Sequence, residues 1–175
     1  MILGLDVSTS ITGATLLDSD GRMVLNESWD TRNKNKFPSL YEKADLIQTH
    51  LWRIKSEYDI TDIYIEQSLQ SFRSGFSSAK TLSTLSRFNG IVSWNCYKAF
   101  DIKPKMLAAA TARKSVGVKI KRGDNSKEKV FEYVVDKEPQ FVVEYTKFGN
   151  LKPGVLDRAD SYVIAKAGFL SWLKK

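Results

Sequence analysis

Apolar and polar positions alternate along this chain in two rhythms, one of strand length and one of helix length. Ile2–Val7 is an almost unbroken apolar run and predicts a buried strand. Thr12–Leu17 and Arg22–Trp29 predict two more, and the turn residues Asp18-Ser19-Asp20-Gly21 between them predict a hairpin. Residues 30–38 are polar and end at Pro38, as a loop would. Ser39 then caps a helix to about Tyr58, with Leu40, Ala44, Ile47, Leu51 and Ile54 on one face. Ile60–Glu66 reads as a fourth strand, followed by a serine-rich loop, Gln67–Ser78, that holds Phe72, Arg73 and Phe76.

A long helix is predicted from about Ser77 to Ala99, with Leu82, Leu85, Phe88, Val92 and Asn95 near one face. Ile91 and Trp94 fall away from that face. Asp101–Lys103 suggests a short strand, and Pro104 is expected to start a helix reaching about Lys114. Residues 115–125 form a Gly/Lys-rich loop before a helix near Ser126–Val135. Beyond Pro139 the pattern is unassigned, with Phe141–Tyr145 as a candidate strand. Val155–Leu173 closes the chain as a helix. This order predicts one α/β domain over residues 1–175. Its mixed central sheet should carry antiparallel hairpins at one edge and parallel strands at the other, flanked by helices.

Composition narrows the chemistry. No apolar run approaches the roughly 20 residues that span a membrane, and no basic-then-apolar leader opens the chain. One cysteine, Cys96, and one histidine, His50, leave no internal disulfide and no cysteine–histidine zinc site. A reducing, cytoplasmic setting is expected, with an organelle left open. Cys96 reads as a small buried residue, and Trp29, Trp52, Trp94 and Trp172 as core or interface packing. His50 is expected to be exposed and without a catalytic part. Residues 98–129 hold ten Lys/Arg against Asp101, Asp124 and Glu128, a local +7 that equals the charge of the whole chain. The remainder is balanced, so the positive charge is concentrated where a polyanion would bind.

Four carboxylates then stand out. Asp6 ends the first apolar run, Glu66 ends Ile63-Tyr64-Ile65, and Asp157 and Asp160 lie three residues apart at the start of the last helix, on one face. Singly, each has an ordinary reading as a turn, cap or helix-dipole residue. Together, strand-end and helix-face acids can converge, and hard oxygen ligands there suit two Mg²⁺ or Mn²⁺ ions for phosphodiester hydrolysis. In that reading Asp6 bridges both ions, Glu66 serves one, and Asp157 with Asp160 serves the other.

The patches resemble the RuvC family of Holliday-junction resolvases. Leu3-Gly4-Leu5-Asp6 with Ser8 and Thr12-Gly13 is similar to its first motif. Ile65-Glu66-Gln67 is similar to the second, and Asp157-x-x-Asp160 with Ile164-Ala165 to the third. The resemblance extends to Asn125-Ser126-Lys127-Glu128-Lys129-Val130 and marks Lys127 as the basic residue near the scissile phosphate. It implies an RNase H-like fold and a metal-dependent homodimer that nicks four-way DNA junctions symmetrically. Lys119, Lys121, Arg122, Lys127 and Lys129, with Arg73, Phe72 and Phe76, are the expected DNA contacts. Relatives place an aromatic residue three positions after the motif glutamate, where this chain has Leu69; Phe72 or Phe76 would take its stacking role. Short divergent members of this type occur in bacteriophages and organelles. No accessory partner is legible.

Other readings make different demands. A nuclease of the same fold acting on RNA, flaps or forks would carry the same acids. A sugar-kinase or actin-type ATPase shares the look of Gly4–Gly13 but needs a second glycine-rich hairpin and a second half domain. A non-catalytic nucleic-acid-binding module would have no use for four acids that weaken DNA binding.

Overall fold

The computed structural model describes residues 1–68 and 79–174. Its elements in chain order are β1 (Ile2–Asp6), β2 (Ile11–Leu17), β3 (Met23–Asp30), α1 (Leu40–Glu57), β4 (Asp62–Glu66), α2 (Ala79–Phe100), β5 (Lys105–Leu107), α3 (Ala109–Val116), α4 (Ser126–Lys137) and α5 (Val155–Trp172). The strands make one sheet in the order β3-β2-β1-β4-β5. β1/β2 and β2/β3 are antiparallel, while β1/β4 and β4/β5 are parallel. The mixed sheet expected from the pattern is the one that forms. Among the described residues no helix is long and apolar enough to cross a membrane.

Alternation along each strand sorts side chains into two cores. Leu3, Leu5, Ala14, Leu16, Ile63 and Ile65 face α1 and α2. Ile2, Leu17 and Tyr64 face the other way, toward α3, α4 and α5. α1 begins as its sequence requires, with Ser39 and Glu42 forming a reciprocal capping box, and buries Ala44, Ile47, Leu51 and Ile54. The β2–β3 turn closes because the Asp18 carboxylate accepts from the Asp20 and Arg22 amides at 2.9 Å while Gly21 takes φ +75°.

Several expectations are corrected. No strand forms at Asp101–Lys103, and no helix starts at Pro104. Asp101 ends α2 in a left-handed conformation (φ 57°), and the strand lies at Lys105–Leu107. Lys105 and Met106 are exposed and the element is only three residues long, so it is parallel pairing with β4 that makes it a strand. Helix α3 starts five residues after Pro104, at Ala109. Phe141–Tyr145 is not a strand; among the described residues that region has one isolated bridge, Tyr145 to Leu151. Trp29 is buried, but Trp52, Trp94 and Trp172 are exposed, so three of the four tryptophans are not core residues of the single chain. His50 is half-buried rather than exposed, stacked on Trp29 with centroids 4.9 Å apart. Cys96 is buried, and burial pushes its thiol pKa up to about 12.

Candidate active site

Strand parity aims two of the four acids. β1 and β4 run side by side in parallel, with Leu5 opposite Ile65. Asp6 and Glu66 follow, one on each strand, and both take the parity of Gly4 and Tyr64, the face that α5 covers. The end of β4 is fixed from behind, where buried Asn89 donates through Nδ2 to the Glu66 carbonyl at 2.9 Å.

Glycine then decides how near α5 can come. A Cβ on Gly4 would stand 2.4 Å from the Ala165 nitrogen. A Cβ on Gly13, which pairs with Asp6 across β1/β2, would stand 2.0 Å from the Asp157 carbonyl oxygen. Neither contact could exist with a side chain, so these glycines let the first turn of α5 rest directly on the sheet beside Asp6. Gly154 caps the helix at φ 93° with no side-chain bond. The turn is held instead by Asn26 Nδ2, donating to the Arg158 carbonyl at 3.1 Å, and by the Thr15–Ser161 hydroxyl pair at 2.8 Å. Asp157 and Asp160 thereby face the strand-end acids.

The electrostatics of this convergence are severe. Burial raises Asp6 well above the usual carboxylate range, and the charges of Glu66, Asp160 and Asp157 push it further. Glu66 is raised to about 7 by burial and then by Asp160, against the pull of Arg113 and Lys127. Asp160 rises to about 6, again chiefly by burial, with Lys127 and Arg113 opposing. Like charges held this close in a dry place call for a cation. The protein supplies one itself. Asn125 caps α4 by accepting from the Lys127 amide at 3.1 Å, which places Lys127 in the first helical turn. Its Nζ reaches 3.8 Å from Asp157 Oδ1 and 3.7 Å from Asp160 Oδ2. Burial alone would lower the Lys127 pKa, but the four acids hold it above its ordinary value.

Arg113 was not singled out by the sequence; it was one of ten basic residues in a charged segment. It sits on α3, its Nε donating to the Ala109 carbonyl at 3.0 Å, and its charge favours the ionised forms of both Glu66 and Asp160. Helical phase alone could not have selected it, because α3 is brought to the acids only by packing on α5.

Oxygen-only donors fit Mg²⁺ or Mn²⁺ by chemistry, and the raised carboxylate pKa values fit a site that needs added positive charge. Among the described residues, however, no three acid, histidine or cysteine side chains close into a finished ligand set. The acids share one field, with the Lys127 ammonium beside the two from α5. Of the other expected contacts, Lys119, Lys121 and Arg122 are exposed in the loop between α3 and α4. Lys129 pairs instead with Glu132 at 2.7 Å. Phe72, Arg73 and Phe76, with Leu69, lie outside the described residues.

Neither a family model nor a curated protein matches the sequence. Solved structures do match in shape. The chain is similar to Thermus thermophilus RuvC in complex with a Holliday junction substrate, at 14% identity, TM-score 0.66, covering 98% of this chain and 94% of that one. A second T. thermophilus RuvC structure matches at 15% identity and TM-score 0.63, over 99% and 96% of the two chains. The yeast mitochondrial Holliday junction resolvase Ydc2 matches at 15% identity and TM-score 0.61, over 99% of this chain and 80% of that one. The chain has the fold of the RuvC-type resolvases, which is RNase H-like.

Proposed function

We propose that this chain, which carries the fold of the RuvC-type resolvases, is a metal-dependent endonuclease that nicks four-way DNA junctions symmetrically. One observation carries the reading: Asp6, Glu66, Asp157 and Asp160 come from β1, β4 and α5 into one electrostatic cluster. A structural role would not gather four partly buried acids and leave their charge to one lysine and one arginine. The similarity in shape to a RuvC in complex with a Holliday junction substrate supports branched DNA as the ligand.

In this reading Asp6, Glu66, Asp157 and Asp160 would hold two Mg²⁺ or Mn²⁺ ions, with Asp6 serving both, Glu66 one, and Asp157 with Asp160 the other. Once bound, the cations supply an activated water and a neutralised leaving oxygen for in-line displacement. The chain's own residues do the remaining work. The β1 and β4 ends hold the acids on paired backbone, where they do not reorganise during the reaction. Arg113 favours the ionised forms of Glu66 and Asp160, against the burial that raises both pKa values. Lys127 turns from the α5 acids to the scissile phosphate and donates hydrogen bonds to the charge that develops there.

Symmetric nicking asks for two sites related by a two-fold axis, so the working unit is a homodimer. α2 is its interface. Phe88, Val92 and Cys96 are buried against the chain's own core, while Trp94 on another side is 59% exposed. Cleavage of labelled four-way junction, fork, flap, linear duplex and RNA–DNA hybrid in parallel with Mg²⁺ tests the substrate. Paired nicks on the junction at far higher rate than on the others is the expected result; equal cutting of duplex or hybrid overturns it.

A further inference from the structure

The cationic residues 98–129 drew attention in the sequence because the remainder of the chain is neutral in sum. That sum hides a second basic surface. The segment after β3 carries Arg32, Lys34 and Lys36 against Asp30, and all three cations are exposed. It is a built turn. Buried Thr31 donates its amide to the Ser10 carbonyl at 2.8 Å and its hydroxyl toward the Thr9 and Ser10 carbonyls at 3.1 Å. From α1, Lys43 also donates to the Thr9 carbonyl. The Asn33 carboxamide accepts from the Asn35 and Lys36 amides at 3.0 and 3.1 Å, and Phe37 is buried as the anchor. Residues 7–10, to which all this is stitched, are the turn that leaves Asp6.

Beneath the turn lies a cleft of about 680 Å³ whose lining includes Trp29, Asp30, Arg32, Lys36, Phe37 and His50. Trp29 and His50, stacked with planes 5° apart, line it on the α1 side of the sheet, so a strand reaching it from the acids on the α5 side passes around the sheet end at the 31–37 turn. Burial lowers the His50 pKa, which leaves a neutral aromatic ring at the wall. The fork to Asp30 is the main cause that raises the Arg32 pKa, with a smaller contribution from the Asp157 charge. In strand order the acids stand on β1 and β4, with β3 and its turn to one side and β5, followed by α3 and the 117–125 loop, to the other.

We propose that the 31–37 turn and its cleft form a second nucleic-acid contact, holding the strand on the β3 side of the cut. Phosphates lie along Lys34 and Lys36, with Arg32 oriented by its fork on Asp30, and one nucleotide of the strand seats its base in the cleft against His50. The inference rests on the nuclease reading and adds a substrate path to it, so that the DNA is gripped on both sides of the acids.

The test is a Lys34→Ala/Lys36→Ala double variant, with both side chains exposed so that the fold is kept. Four-way junction binding is measured in Ca²⁺ across a salt series. The expected result is roughly tenfold weaker binding with the log Kd–log salt slope reduced by about 2, one phosphate per lysine. His50→Ala should weaken binding several-fold with the slope unchanged, and His50→Phe should restore it by restoring a ring. If the wild type binds junction and the double variant matches it in both affinity and slope, the second contact does not exist. If His50→Ala binds like wild type, the base does not enter the cleft. A wild type that binds no nucleic acid takes down the nuclease reading itself, which separates the two failures.

Discussion

Replacing Lys127 by methionine keeps most of the unbranched side chain and removes its charge, and it should move metal affinity and catalysis in opposite directions. The ammonium lies 3.7 and 3.8 Å from two of the acids assigned to the metals. At those distances each attraction is worth about 1 kcal/mol in a water-like dielectric and several times more in a dry interior. The Lys127 side chain is 55% exposed, so the water-like value applies, about 2 kcal/mol for the pair. A cation entering the site must displace that ammonium or sit beside it. Removing it should therefore tighten Ca²⁺ binding by roughly 10- to 30-fold, since about 1.4 kcal/mol is a factor of ten. Isothermal titration with Ca²⁺, which allows binding without turnover, reads this directly. Cleavage in saturating Mg²⁺ should nevertheless fall by 10²-fold or more, because the donor to the phosphate is gone. A Lys127→Met protein that binds Ca²⁺ no better than wild type, or worse, would falsify the idea that the lysine occupies the cation's place.

The remaining expectations follow from the same geometry. Asp6→Asn, Glu66→Gln, Asp157→Asn and Asp160→Asn should each abolish most junction cleavage while leaving binding in Ca²⁺ largely intact; near-normal cutting by the first two contradicts the two-metal site. Glu66 and Asp160 have folded-state pKa values raised to about 7 and about 6, so the folded protein holds protons that the unfolded chain releases near pH 4 to 4.5. Metal-free stability should be greatest below that range and decline as pH rises through about 7, with Glu66→Gln flattening the decline; thermal melts in EDTA across pH 5 to 8 measure it, and a rising curve contradicts the sign. Gly13→Ala forces a methyl to 2.0 Å from the Asp157 carbonyl, so α5 must lift, with a loss of about 1–3 kcal/mol in chemical denaturation and weaker Ca²⁺ binding. Trp94→Glu should give a folded monomer that no longer makes paired nicks, whereas Phe88→Glu should unfold the chain; sedimentation of both, beside a dimeric wild type, decides where the interface lies.

What was legible in the sequence was local or periodic. The strands β1 to β4 and the helices α1, α4 and α5 show in the apolar rhythm because each buries one face or both against a core. Asp6 and Glu66 are recognisable not singly but as a pair of acids ending two apolar runs, read together with Asp157 and Asp160. Asp157 and Asp160 are recognisable because their spacing puts them on one helical face. Strand parity, a property of the covalent chain, already places Asp6 with Gly4 and Glu66 with Tyr64.

Tertiary structure alone decided the rest. β5 forms where β4 offers it an edge to pair with, and its three residues are too few to show a strand's alternation of their own. Arg113 reaches the acids through the packing of α3 on α5, a relation between segments more than 40 residues apart. The Trp29–His50 cleft and its basic turn arise where the end of β3 meets α1, and charge counted along the chain averages them away. The distance of α5 from the sheet was decided there too: Gly4 and Gly13 read as ordinary motif glycines until the helix backbone is seen resting on them. Periodicity tells a side chain which way to face, but only the packed chain determines what it faces and how near that neighbour can come.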